Sequence, residues 1–184
     1  MMTYLNQFHK EAVERKLRKI ELSIVSIVFS LLELMVLSGC ASSEERAARA
    51  AEQVANVKAA LTARNYKIAV SRMYPRSGAA KSVSYGYSVE VRNDSLFSYL
   101  PYFGRAYDVP YGGGKGLNFD APIESYNETQ LENGKRHIEI GLKNDEDTYL
   151  YTISVFDNGN SSIDVQSRRR EPISYSGEME FLKQ

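Results

Sequence analysis

The chain is expected to fold as an α+β domain, with one N-terminal helix packed on a single antiparallel β-sheet of six to eight strands. Three observations lead there. Apolar residues at helical spacing occur in one Ala-rich segment, 44–64. Nearly everything after it alternates apolar with polar residues, the period of a half-buried strand. The alternating runs are separated by short turn signals, among them Asn93-Asp94, Asn133-Gly134 and Asn158-Gly159. Such turns join antiparallel neighbours, whereas parallel strands need long crossovers. A length of 184 residues suits one domain.

The N-terminus carries an address. Leu22 to Leu37 is an apolar run broken only by serines and Glu33. It is short for a membrane span and matches the apolar core of a signal peptide. It ends in Leu37-Ser38-Gly39-Cys40, which resembles the bacterial lipobox. That resemblance implies lipid on the Cys40 sulfur, cleavage before Cys40 and acylation of the new amine. Residues 1–39 are then a lipoprotein signal peptide, 40–44 a lipidated tether and 45–184 a single domain. The implied place is the bacterial outer membrane, lipid-anchored on its periplasmic or surface face. A buried free thiol or an uncleaved anchor helix is the alternative. The stretch before Leu22 is long and carries acids, as a misplaced start would produce; initiation at Leu17 leaves Arg18 and Lys19 as a short basic lead. Cys40 is the one cysteine, so no intramolecular disulfide forms.

In the helix, Ala47, Ala50, Val54, Val57 and Leu61 form one narrow face. Val54, Val57 and Leu61 are expected to be buried against the sheet. Ser42 and Glu45 have the form of a capping box, and Asn65 is a plausible stop. Strands follow around Tyr66–Val70, Val83–Val91, Leu117–Phe119, Ile138–Leu142, Tyr149–Val155, Ile163–Val165 and Ile173–Met179. Residues 123–131 alternate more weakly, as an edge strand would.

The stretch Asp94–Asp120 breaks this regularity. It holds four tyrosines, three phenylalanines, two prolines and the run Gly112-Gly113-Gly114. Pro and Gly exclude a helix, and its rings exclude a disordered linker. It reads as a long ordered loop pinned by aromatic residues. Part of Leu100-Pro101-Tyr102-Phe103-Gly104 is expected to be buried, with Phe103→Ala strongly destabilising if its ring is among the buried ones, and the Gly-rich tip beyond Pro110 is expected to be mobile and to point outward.

The mature chain resembles an uncharacterised bacterial lipoprotein family, the domain of unknown function 4251, over roughly residues 45–178. The likeness rests on Asn65-Tyr66, Leu100-Pro101-Tyr102-Phe103-Gly104-Arg105-Ala106-Tyr107, Gly116-Leu117-Asn118-Phe119-Asp120 and Ile173-Ser174-Tyr175-Ser176-Gly177. It implies a signal segment and an envelope location, in members mostly from gut anaerobes, and it implies no activity.

Chemistry-bearing motifs are sparse. Gly112-Gly113-Gly114-Lys115-Gly116 lacks the leading Gly and the trailing Ser or Thr of a phosphate loop. His137 is the one histidine after Cys40 and cannot make a zinc site without converging carboxylates. No metal and no cofactor is expected. Basic and acidic side chains number 23 each, which argues against a nucleic-acid partner. Asp108, Asp120 and Glu124 flank the loop and could pair for acid–base work. Arg105 could stack on Tyr102 or Tyr107, or bridge to Asp108 or Asp120. Arg168-Arg169-Arg170 has the look of a solvated edge. Asp94-Ser95-Leu96 resembles an O-glycosylation acceptor of gut anaerobes, which would place sugar on Ser95. Asn127-Glu128-Thr129 matches the N-glycosylation pattern, which carries little meaning in a bacterium.

These residues point to a non-enzymatic envelope lipoprotein, held to the membrane through Cys40. It would bind an envelope protein or a small ligand through Tyr102, Arg105, Tyr107, Asp108, Tyr111, Lys115 and Asp120. The alternative is a hydrolase or modifying enzyme of cell-wall or glycan substrates that uses the loop carboxylates. No residue is assigned a catalytic role on sequence grounds.

Overall fold

The computed structural model describes residues 43–84, 86–108, 114–131 and 134–181. The expected signal segment 1–39, Cys40, Ser42 and, in the loop, Pro110, Tyr111, Gly112 and Gly113 lie outside them. The chain divides into two compact units, Met1–Arg46 and Ala47–Gln184. Of the first, only the opening turn of a helix is described. The second carries the core.

Helix α1 spans Ser43–Thr62, with Glu44 and Glu45 in its first turn, where carboxylates complement the helix dipole. Arg64, not Asn65, takes the left-handed position that ends it, at φ 48°. Asn65 already belongs to the first strand. Val57 and Leu61 are buried as expected, but Val54 is 39% exposed. The helix touches the core through its last two turns alone.

Nine strands follow: β1 Asn65–Pro75, β2 Lys81–Ser82, β3 Ser88–Arg92, β4 Ser95–Leu100, β5 Leu117–Gln130, β6 Arg136–Lys143, β7 Thr148–Val155, β8 Asn160–Ser167 and β9 Ile173–Glu180. Every pairing is antiparallel. The order is β2-β1-β3-β4-β5-β6-β7-β8-β9, and β9 pairs back with β1. The expected open sheet is therefore an eight-stranded barrel, with the two-residue β2 appended to β1. Alternation tells which side of a strand is buried; it is the same in a sheet and in a barrel. Two irregularities help the closure. Register shifts at Val70/Arg72 in β1 and at Ile123/Ser125 in β5 bend the two longest strands. Residues 117–119 and 123–131, expected as separate strands, are one: β5 pairs with β4 through its first part and with β6 through its second. No edge remains at 123–131.

The interior is filled by side chains, including Tyr66, Ile68, Val89, Val91, Leu96, Ile138, Ile140, Leu142, Tyr149, Tyr151, Ile163 and Tyr175. Two of its tyrosine hydroxyls, those of Tyr151 and Tyr175, make hydrogen bonds of ordinary length, whereas that of Tyr149 is buried without a partner among the described residues. Tyr151 Oη donates to Ser98 Oγ at 2.9 Å, and Ser98 Oγ donates to Leu117 O at 2.7 Å. Outward positions carry polar groups, such as the Lys67–Glu180 pair at 2.8 Å across β1 and β9.

Because strands alternate in direction, the connections sort into two ends. One end holds the α1–β1, β3–β4, β5–β6 and β7–β8 turns. The Asn158-Gly159 and Asn93-Asp94 turns form there as expected, with Gly159 at φ 84° and Asn93 at φ 52°. Gln53 Nε2 donates to Asn158 O at 2.6 Å, so α1 packs at this end rather than across a sheet face. The opposite end gathers the β1–β3 connection, the 101–116 loop, the β6–β7 turn and the β8–β9 turn.

Candidate functional site

The stretch 94–120 is not one loop. Ser95–Leu100 is strand β4 and Leu117–Asp120 begins β5. Of the connection between them, residues 101–108 and 114–116 are described, and the first of these runs is fastened to the end of the barrel where β8 meets β9. Leu100 is fully buried. Pro101 O accepts a hydrogen bond from Tyr175 Oη at 2.7 Å. Tyr102 Oη lies 2.8 Å from Arg105 O and 3.1 Å from Glu171 O, and donates to this pair of carbonyls. Arg105 N donates to Glu171 Oε2 at 3.1 Å, and Glu171 N returns a bond to Arg105 O at 2.9 Å. Tyr107 N donates to Arg169 O at 2.7 Å. Residues 105–107 thus run as a short ribbon along 169–171, with a bridge between Ala106 and Arg170.

In the arginine run Arg168 and Arg169 are exposed, as a solvated edge would be, but Arg170 is not. Arg170 has 8% of its side chain exposed, and its Nη2 lies 3.4 Å from Glu146 Oε2, itself 12% exposed. Its guanidinium sits 5.7 Å from the Tyr102 ring centroid. Lys115 N donates to both oxygens of Glu146, at 3.0 and 3.2 Å. Gly114 stands over this pair; a Cβ there would fall 2.7 Å from both Arg170 Nη2 and Glu146 Oε2. The Asp147 carboxylate accepts bonds from the backbone N–H groups of Thr148, Arg168 and Arg169. The polar turn 144–147 and the run 168–170 therefore act as one support beneath the loop. Burial raises the hydroxyl pKa of Tyr102 and of Tyr149, with nearby acids adding to the shift.

The residues singled out in the sequence scatter around this support. Tyr102 is half-buried and structural. Arg105 neither stacks on Tyr102 or Tyr107 nor bridges to Asp108 or Asp120. Its backbone is the part that holds the loop, and among the described residues its exposed guanidinium has no hydrogen-bond or ion-pair partner. Arg170 takes the role expected of it. Phe103 is 48% exposed rather than buried, with Lys81 Nζ 3.4 Å from its ring centroid. Tyr107 is 67% exposed. Asp108 pairs with Arg169 at 3.4 Å on the surface. Lys115 reaches Asp145 at 3.5 Å. Asp120 belongs to another surface, the outer wall of β5, and so does Glu124. The three loop carboxylates do not converge. Ser95 is the first residue of β4, paired with Arg92 and Pro122. His137 lies 3.7 Å from Glu139 on the same strand. Among the described residues no group of three His, Cys, Asp or Glu is placed to hold a metal.

What the loop builds is a cleft of about 280 Å³ lined by Ser77, Tyr102, Phe103, Gly104, Arg105 and Glu171. Glu171, Arg170 and Glu146 were not foreseen. The one signal for them was the density of charge at 144–147 and 168–171, the two turns that flank β7 and β8.

The family model described as a domain of unknown function (DUF4251) matches residues 48–179. This chain belongs to that family. No curated protein matches it. A crystal structure of a DUF4251 protein from Bacteroides eggerthii DSM 20697 has a similar fold, with a TM-score of 0.54 at 14% identity. The similarity covers 69% of this chain and 86% of that one. At this identity the likeness speaks for the DUF4251 fold alone.

Proposed function

We propose that this chain is an envelope lipoprotein whose barrel is a non-enzymatic binding module, tethered to the outer membrane through lipid on Cys40. The Leu37-Ser38-Gly39-Cys40 sequence supports the tether. The observation that carries the binding reading is the division of labour in residues 101–108. Their backbone is fastened to 169–171 and to Tyr175, while Phe103, Arg105 and Tyr107 remain in water around the cleft. Exposed rings on a fixed backbone lose little freedom when a partner covers them, so they favour binding. The partner is an envelope protein or a small envelope ligand.

Two experiments test the two parts. Cys40→Ser should abolish incorporation of labelled fatty acid and leave an unprocessed precursor; a lipid-labelled, processed Cys40→Ser protein overturns the tether. A photo-crosslinking residue at Tyr107 should give a discrete adduct in cells that Arg105→Ala weakens. The same residue at Glu139, on the outer face of β6, should give none. Equal labelling at both positions overturns the mouth as the binding surface.

A further inference from the structure

A second surface is built into the wall of the barrel. On the outer face of β3, β4 and β5 lies a groove of about 430 Å³ whose lining includes Ser88, Glu90, Phe97, Tyr99, Asn118 and Asp120. The register sets its plan. Phe97 stands between Glu90 and Asp120, and Tyr99 between Ser88 and Asn118. The two rings of β4 form a central strip with a carboxylate on either side. Neighbouring strands lie about 4.8 Å apart, so the two acids rise from backbone positions about 10 Å apart across the strip.

The parts are held in place. Tyr99 is 54% exposed, and one face of its ring is stacked on Tyr87 at 5.1 Å and 23°. Glu90 is buried and paired with Arg92, whose guanidinium lies 4.8 Å from the Phe97 ring centroid. The chain's own Arg92, which does not line the groove, is thus a cation held beside it between one of its rings and one of its carboxylates. Across the strip, Asp120 is exposed and has no hydrogen-bond or ion-pair partner among the described residues.

We propose that this groove binds a cationic group, a guanidinium, amidinium or ammonium, carried by a ligand or partner. Aromatic faces carry negative charge density and attract cations. Two carboxylates against one arginine leave the groove net negative. An anion would meet Asp120 and the ring faces unfavourably, and a neutral polyhydroxylated ligand would leave the charge of Asp120 unmatched. Arg92 on Phe97 and Glu90 is the same recognition already made within the chain. The groove shares no residue with the mouth cleft, so either surface can fail without the other.

The test uses the full-length chain, isotope-labelled in detergent, titrated with benzamidine while backbone amide signals are followed. Saturable shifts are expected at Phe97, Tyr99, Asn118 and Asp120, weakened by added salt. Asp120→Asn should weaken binding at least about fivefold, the order expected for loss of one charge-assisted contact, while distant amide signals stay in place. Argininamide and tri-arginine separate the sources: tighter binding of the peptide assigns a basic protein segment, and equal affinity assigns a small free cation. Both outcomes support a cation site. Shifts caused by benzoate or methyl α-glucoside with benzamidine inert, or an Asp120→Asn protein that binds benzamidine unchanged, overturn it.

Discussion

Gly177, opposite Val70 in register, lies directly against the backbone carbonyl of Ala69 at the seam where β9 closes onto β1. A Cβ on Gly177 would run into the carbonyl of Ala69 and press on Val70 Cα at 3.0 Å. The atoms in the way are backbone, which cannot swing aside as a side chain can. This seam makes the sheet a barrel, and it lies beside the register shift at Val70/Arg72. Gly177→Ala is therefore expected to cost about 1–3 kcal/mol or more, read as a fall in the denaturation midpoint. A midpoint equal to wild type would mean that the seam is looser than this contact implies.

The arginine run offers a contrast within three residues. Arg170 is buried against Glu146, and its loss leaves that largely covered carboxylate without its counter-charge. Arg170→Ala should destabilise by about 3–5 kcal/mol. Arg169 is 45% exposed and pairs with the surface residue Asp108. Arg169→Ala should cost about 0–1 kcal/mol. Urea melts of the two variants check the ordering, and the reverse order would place the support elsewhere.

These contrasts show what was legible in the sequence. The strand pattern, the helix, the Asn-Gly turn at 158–159 and the burial of Val57 and Leu61 follow from local periodicity and turn chemistry. Closure did not, because β1 and β9 meet across the whole length of the domain and nothing local marks that pairing. The mouth failed for the same reason. Arg105 stands next to aromatic residues in sequence, but the guanidinium near the Tyr102 ring comes from Arg170, on the other side of the barrel end. Phe103 looked buried because it lies in a dense aromatic run, yet with Leu100 buried inside and Tyr102 turned to Glu171, its ring falls outward under Lys81.

The tyrosines predict alkaline behaviour. Burial, the largest cause, raises the hydroxyl pKa of Tyr66, Tyr151 and Tyr175 well above the ordinary value of 10.0. The neutral form is the one the fold accepts. Below pH 10 both folded and unfolded chains are neutral at these sites and stability is unaffected. Above it the unfolded chain ionises first, so stability falls with rising pH by up to about 1.4 kcal/mol per unit for each such tyrosine. Tyrosinate absorbance from these interior residues should therefore rise only with unfolding. A single smooth titration with the barrel intact would contradict the interior placement.

The helix prediction follows from unequal burial along one face. Leu61 is fully buried and Val54 is 39% exposed. Leu61→Ala should cost about 2–4 kcal/mol, and Val54→Ala under about 1 kcal/mol. Equal small effects in thermal melts would mean that α1 is a stalk rather than a closure of the barrel end.

The last prediction concerns the fastening of the mouth loop. At Gly104 a Cβ would lie 2.7 Å from Tyr102 Oη and 3.1 Å from its ring carbon Cζ. The hydroxyl can move only by giving up the carbonyls of Arg105 and Glu171. Gly104→Ala should therefore act through Tyr102, loosening residues 102–107 while the barrel stays folded. Tyr102→Phe removes the hydroxyl directly and should cost about 1 kcal/mol, the net worth of one hydrogen bond. In that background most of the clash is gone, so adding Gly104→Ala should cost less than it does alone. The coupling should be about 0.5–1 kcal/mol, within the range for side chains in contact. Hydrogen exchange at Arg105 and Tyr107, whose amides donate to Glu171 and Arg169, gives the local reading. Additive costs, or unchanged protection at those two amides, would mean that the loop is held by something other than the Tyr102 hydroxyl.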